Sequence, residues 1–268
     1  MVKNYITQFK KGIIAYKKAF IFLLKNKLMY FLIFPIIFNF FLSYLGFYFI
    51  EIASDYLHDQ ALFLINSVMG TIVLKGGVIS KVISIALWIF SKILFLFLFF
   101  MFSGYITIII LSPIFTFLSE KIAAIKNGYS FSFNLSQFFK DILRACFIAI
   151  RNIFIQFILM FLFFLLGFVP LIGWGISILG NIIVASYFYG FSFMDFSNER
   201  NKLSIKESVN FIRKKYGIAI GIGSVFYCCL LIPLVGSFLA SLLSILSLTA
   251  ATIYVEEMNI STIDLQSS

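Results

Sequence analysis

The sequence predicts an all-α polytopic membrane protein, and three observations lead there. The chain is 62% hydrophobic and 12% charged, whereas soluble domains carry about 25% charged residues. Residues 28–50 and 93–112 are uncharged and longer than the ~18 apolar residues that mark a membrane helix. Two further runs, 152–194 and 217–255, also lack any charge, and each carries a Pro-x-x-Gly turn signal in its middle. A barrel would alternate apolar and polar residues at every second position; these runs do not.

Residues 1–27 carry seven lysines and no acid. Lys10 and Lys17 lie seven apart, as do Lys11, Lys18 and Lys25, while Phe9, Ile13, Phe20 and Leu24 follow at four, seven and four. That spacing puts a basic and an apolar stripe on one helix, a pattern that lies in the membrane interface and is drawn to anionic lipid. A solvated basic leader that only sets topology is the plainer alternative. Residues 28–50 form the first span. The run is too long for a secretory signal core and ends without a small-residue cleavage site, so it is expected to stay in place. It holds Pro35 and Asn39. The proline frees a backbone carbonyl one turn earlier and the amide can pair with another helix; a packing kink fits equally well.

Residues 51–60, EIASDYLHDQ, have three acids and no Lys or Arg, which fits the far side of the membrane. Residues 51–82 read as an outer segment leading into a second span over 83–112. That stretch is 30 residues, about 45 Å as a helix, so the membrane core is 93–112 with Lys92 snorkelling outward. Pro113 ends or kinks the helix. In residues 113–151 five Lys and Arg outnumber two acids, which places this segment in the cytoplasm. Residues 152–195 form a first hairpin, closed by Asp195. Residues 196–216 form a basic amphipathic helix, for which Ser204 and Glu207 give the S-x-x-E capping pattern. Residues 217–255 form a second hairpin, and 256–268 a polar tail.

Both hairpins leave and return on the basic side, and both turn at a Pro-x-x-Gly: Pro170–Gly173 and Pro233–Gly236, 63 residues apart. PLIGWGISILGN and PLVGSFLASLLS align without a gap, as a parallel internal repeat. The first arms, 153–169 and 218–232, are 17 and 15 residues, or about 25 and 22 Å, marginal and short for a full crossing. Re-entrant hairpins and ordinary hairpins with tight outer turns both fit these lengths. If re-entrant, the second arms start inside the membrane at Trp174 and Ser237. Their free N–H groups and positive dipole ends could then hold an anion without a buried cation. Gly173, Gly175 and Gly236 would let the anion approach the backbone, and Ser237 would add a hydroxyl; glycines that only permit tight packing are the alternative.

The net charge of +10 reads as topology rather than as a nucleic-acid surface. Cys146, Cys228 and Cys229 form no CxxC and read as small buried hydrophobes. His58 is the sole histidine, so no metal set is expected, and no GxxxxGK[ST] points to a nucleotide. No cofactor is expected. GIGSVF at 221–226 lacks a base within reach, so an enzyme is not expected.

Three stretches carry a family resemblance: FKKGIIAYKKAFIFLLKNKLMYFLIFPIIFNFFLS, with Pro35 and Asn39; LSPIFTFLSEKI, with Pro113; and VPLIGWGISILGN through IYVEE, with both Pro-x-x-Gly turns around the basic helix. Together they resemble the CysZ-type sulfate permeases, related to the etoposide-induced transmembrane proteins, over most of the chain except residues 51–82. The resemblance implies two long spanning helices plus two re-entrant, hemi-penetrating hairpins. It also implies a homo-oligomer in the bacterial inner membrane and uptake of sulfate; the charge distribution puts both termini in the cytoplasm. One departure stands out. Where that family carries a Gly-Leu-Arg motif, this chain has Lys27, Leu28 and Met29. Only Leu28 matches, and a bidentate anion donor is lost, leaving Lys25 and Lys27 as point charges. The expected function is an anion channel or permease, sulfate-like, passive or ion-coupled. The alternatives are a membrane-organising scaffold of the same fold or a permease for another small substrate.

Overall fold

The computed structural model describes residues 2–69, 78–129, 135–232 and 235–266, and every regular element among them is helical. In order these are α1 (Val2–Lys25), a 3-10 turn (Met29–Leu32), α2 (Ile33–Met69), α3 (Val78–Ile110), α4 (Ser112–Asn127), α5 (Leu135–Leu166), α6 (Gly173–Arg200), α7 (Ile205–Lys214), α8 (Tyr216–Leu230) and α9 (Gly236–Gln266). Four stretches are long and apolar enough to cross a membrane: Met29–Leu64, Leu135–Leu166, Gly173–Arg200 and Gly236–Met258. Phe102–Ile110 with Ser112–Asn127 makes a fifth if that pair, bent by 62°, counts as one. The chain is therefore a multi-pass helical membrane protein, as its composition predicts.

The chain divides into two units, Ile37–Ser103 and Met1–Ile36 with Gly104–Ser268. In the smaller, the bodies of α2 and α3 run antiparallel. Phe49 meets Phe95 edge-on with centroids 6.4 Å apart, Gly46 faces the Phe99 ring, and Lys92 pairs with Asp55 at 3.1 Å. Residues 51–60, expected on the far side of the membrane, are a helical continuation of α2. His58 thus lies on a helix, its Nε2 3.4 Å from the Ser84 hydroxyl. Phe40, Tyr44, Phe47 and Tyr48 are exposed on this unit, as lipid-facing side chains are. Asn39 is buried. Gly70, Gly76 and Gly77 lie outside the described residues.

In the larger unit, α1 is part of the bundle rather than a helix apart. Its packed face is Gly12, Ala15, Ala19 and Leu23, all buried. A Cβ on Gly12 would stand 2.8 Å from the Ile218 carbonyl of α8, and Ala15 and Ala19 cluster with Ala250 of α9. Tyr16 donates to the Ile222 carbonyl at 2.6 Å and meets Ser247 Oγ at 2.7 Å. The expected apolar stripe is the outer face: Ile13, Phe20 and Leu24 are exposed. Small residues permit backbone approach but barely register in a hydropathy pattern.

Pro35 is the third residue of α2, where its missing N–H costs no bond within that helix. Pro113 is the second residue of α4, just past the break at Leu111. α5 begins at Leu135, so the arm expected over 153–169 is the second half of a 32-residue helix. Residues 256 onward, expected as a loose polar tail, continue α9 to Gln266, with Glu256 buried. Cys228, expected inside, is exposed.

α6 and α8 pack backbone to backbone: a Cβ on Gly190 would strike the Ala219 carbonyl, and one on Gly223 the Ser186 carbonyl. These pairs make the two helices antiparallel. Their register puts Ile232, the last described residue before the second turn, level with Ser177, four residues from Gly173, or roughly 6 Å. The two turns therefore stand at similar height at one end of the unit.

Candidate functional site

The expected anion residues fall at two ends of the larger unit. At the turn end, Pro170 and Leu171 are exposed, and Leu171 takes φ 69°, a left-handed backbone costly for a non-glycine residue. The Ile172 side chain makes no cap bond, so the first N–H groups of α6, at Trp174 and Gly175, are uncapped by it. Trp174 is 76% exposed. The two glycines differ. Gly173 is buried with its α-carbon against the Leu166 carbonyl, which packing alone explains, whereas space at Gly175 is open. In the second turn, Gly236 packs on the Cys229 and Leu230 carbonyls, and Ser237 is buried. Pro233 lies outside the described residues.

Lys25, Lys27 and Leu28 are at the other end. The 3-10 turn that follows them is held on α4, with Lys121 donating to the Tyr30 hydroxyl at 2.9 Å and Phe31 against Phe117. The same turn of α4 carries Ser119, which binds Arg200 and sits 3.4 Å from Thr252. From Gly236 to Thr252 is roughly 24 Å of helix. The lysines are exposed and Leu28 is buried; they share no site with the turns.

That far end holds a buried ionic network. Asp195, 3% exposed, takes a bond from Ser208 and faces Arg144 Nη2 at 3.3 Å. Arg144 also donates to the Leu203 carbonyl and pairs with Glu199 at 3.6 Å. Asn198 donates to Ser208 Oγ at 2.9 Å. Beside it, Arg200 grips Glu256 and donates to the Ser119 carbonyl and hydroxyl at 2.8 and 2.7 Å. Asn127 donates to the second Glu256 oxygen at 2.6 Å. Each buried charge has an opposite partner and further bonds, as buried ions require. These contacts tie α4, α5, α6, α7 and α9 together.

From Asp195 a row of buried polar side chains continues up the α5/α6 seam. Asn152 donates to Ser192 Oγ at 3.2 Å; one turn on, Gln156 Oε1 accepts from the Tyr105 hydroxyl, whose ring lies 4.8 Å from that of Tyr189. Ser192, Asn152, Gln156, Tyr105 and Tyr189 are all buried. A cavity of about 10 Å³ touches Ser192 and Asp195, room for about one water. Above Gln156 the seam closes where Phe163 fills the space over Gly180. Amides and hydroxyls between membrane helices hydrogen-bond across the interface and hold the helices together.

Of this set only Asp195 was expected from sequence. Gln156 and Asn152 were visible as lone amides at the start of an uncharged run. The Arg200–Glu256 and Arg144–Asp195 pairings join residues 56 and 51 apart, beyond what local spacing reveals.

A family model described as sulfate transporter CysZ/etoposide-induced protein 2.4 matches residues 15–241. No curated protein matches the chain.

Proposed function

We propose that this chain, which belongs to the sulfate transporter CysZ/etoposide-induced protein 2.4 family, passes a sulfate-like oxyanion across a bacterial inner membrane, either passively or coupled to an ion. The observation that carries the reading is the buried row Ser192, Asn152, Gln156 and Tyr105 above the Arg144–Asp195 pair. In the proposed path, Lys25 and Lys27 gather the anion at the basic end, the cytoplasmic one by the positive-inside rule. The amides and hydroxyls replace part of its hydration through the core, and the α6 N–H groups at Trp174 and Gly175 receive it at the turn end. α8 has 15 residues, short for a full crossing. The uncharged part of α6, from Gly173 to Met194, rises roughly 33 Å, a full hydrocarbon thickness, and with both turns at similar height this length supports ordinary hairpins over re-entrant ones. The seam is closed here, so passage requires Phe163 to move off Gly180.

The test is uptake of labelled sulfate by proteoliposomes against empty vesicles, with sulfite and phosphate as competitors. Saturable uptake competed by sulfite supports the reading. Uptake no faster than in empty vesicles, with the protein folded and inserted, sinks it and leaves the scaffold or another substrate.

A further inference from the structure

The chain has four arginines: Arg144, Arg151, Arg200 and Arg213. Arg144 and Arg200 are each paired with buried carboxylates. Arg151 and Arg213 are paired with no carboxylate among the described residues, and both line one groove of about 430 Å³ between α5, α6, α7 and α8. Arg151 lies 5.8 Å over the Phe191 ring and spends one N–H on the Asn152 amide oxygen. Arg213 is exposed at the end of α7. A groove that collects both guanidiniums without a carboxylate in ion-pair contact offers charge-assisted donors to an oxyanion from two helices.

The groove is also polarised along its length. At the charged end are the two arginines, with the Tyr187 phenol beside them; at the other are Ile155, Leu159 and Ile183. From Phe191 to Ile183 the wall rises roughly 12 Å along α6, toward the turn end of the unit. A small soluble anion has no use for an apolar extension of that depth. An amphiphile with one anionic head and a chain does.

We propose that this groove is a binding site for an anionic phospholipid, its phosphate held between Arg151 and Arg213 and one acyl chain lying along Ile155, Leu159 and Ile183. The site is independent of the transport reading and separate from the lysines of α1. Bound lipid would bridge α5 to α7, so the basic helix after the first hairpin would dock against a membrane component as well as against protein.

The experiment is native mass spectrometry of the full chain released from detergent, titrated with phosphatidylglycerol, with phosphatidylcholine, and with glycerol 3-phosphate as competitor. The expected result is phosphatidylglycerol retained in preference to phosphatidylcholine and not displaced by glycerol 3-phosphate. Retention should be weakened roughly tenfold in Arg151→Gln/Arg213→Gln, about the loss of one charge-assisted contact. Arg213→Gln alone, at an exposed position, and Ile183→Phe, which fills the apolar end, serve if the double variant fails to fold; each should also weaken retention. Equal retention of both lipids, or variants that hold phosphatidylglycerol as well as the parent does, would overturn the proposal. Displacement by glycerol 3-phosphate would overturn the lipid in favour of a small-anion site.

Discussion

Gly190 sets the spacing of α6 and α8, because its α-carbon lies where any Cβ would meet the Ala219 carbonyl. Backbone cannot yield as a flexible side chain can. Gly190→Ala should therefore cost on the order of 2–3 kcal/mol, read as a lower unfolding temperature in detergent, whereas Gly175→Ala, in open space, should leave it unchanged. The Arg200–Glu256 pair makes a second residue-scale test. Glu256→Ala strands a buried guanidinium and should cost roughly 3–5 kcal/mol, while Arg200→Met with Glu256→Leu should cost less than either single change. Equal losses for the single and double variants would mean that the pair itself, not the unpaired charge, carries the effect. Little of this scale was legible in sequence. Gly12, Ala15 and Ala19 form the packed face of α1, yet the lysine and phenylalanine periodicities dominate the pattern there.

α7 is the element the sequence describes best. Its S-x-x-E signature appears as a full capping box: the Glu207 N–H donates to Ser204 Oγ at 3.3 Å and the Ser204 N–H to Glu207 Oε2 at 2.8 Å. Local motifs of this kind are readable because both partners lie within one turn. The Ser204 hydroxyl, then its backbone N–H, hold the Glu207 carboxyl below the usual glutamate range. A depressed carboxyl stabilises the folded helix fully above the ordinary value of about 4.3, and the contribution is lost as pH falls through the lower folded value. The protection factors of the α7 amides, referred to the intrinsic exchange rate at each pH, should therefore fall on acidification below that range, and Glu207→Gln should remove this dependence. Helix lengths were less legible. The arm ending at Leu166 starts at Leu135; Lys140, Arg144 and Arg151 read as cytoplasmic charges and hid a helix that buries Ala145, Ile148 and Ala149.

At the scale of the molecule, the polytopic helical class and the two turns were plain from charge-free runs, and the family match agrees with the resemblance. The long-range assembly was not: the polar row on the α5/α6 seam depends on which faces of helices far apart in sequence meet. The proposed path runs along that seam, with the turns at one end and the lysines at the other. In a background lacking Cys146, Cys228 and Cys229, a cysteine at Gly175 should react with an impermeant thiol reagent from the turn side only. One at Asn152 should react only under conditions that support flux.

The most direct measurement is sulfate uptake by proteoliposomes of the parent chain beside Gln156→Leu, matched for helicity and insertion. The account predicts saturable uptake by the parent and at least about a tenfold loss in the variant, the kinetic equivalent of one lost hydrogen-bond donor in the path. Equal uptake by the two would show that the anion does not pass the α5/α6 seam, and would contradict the account.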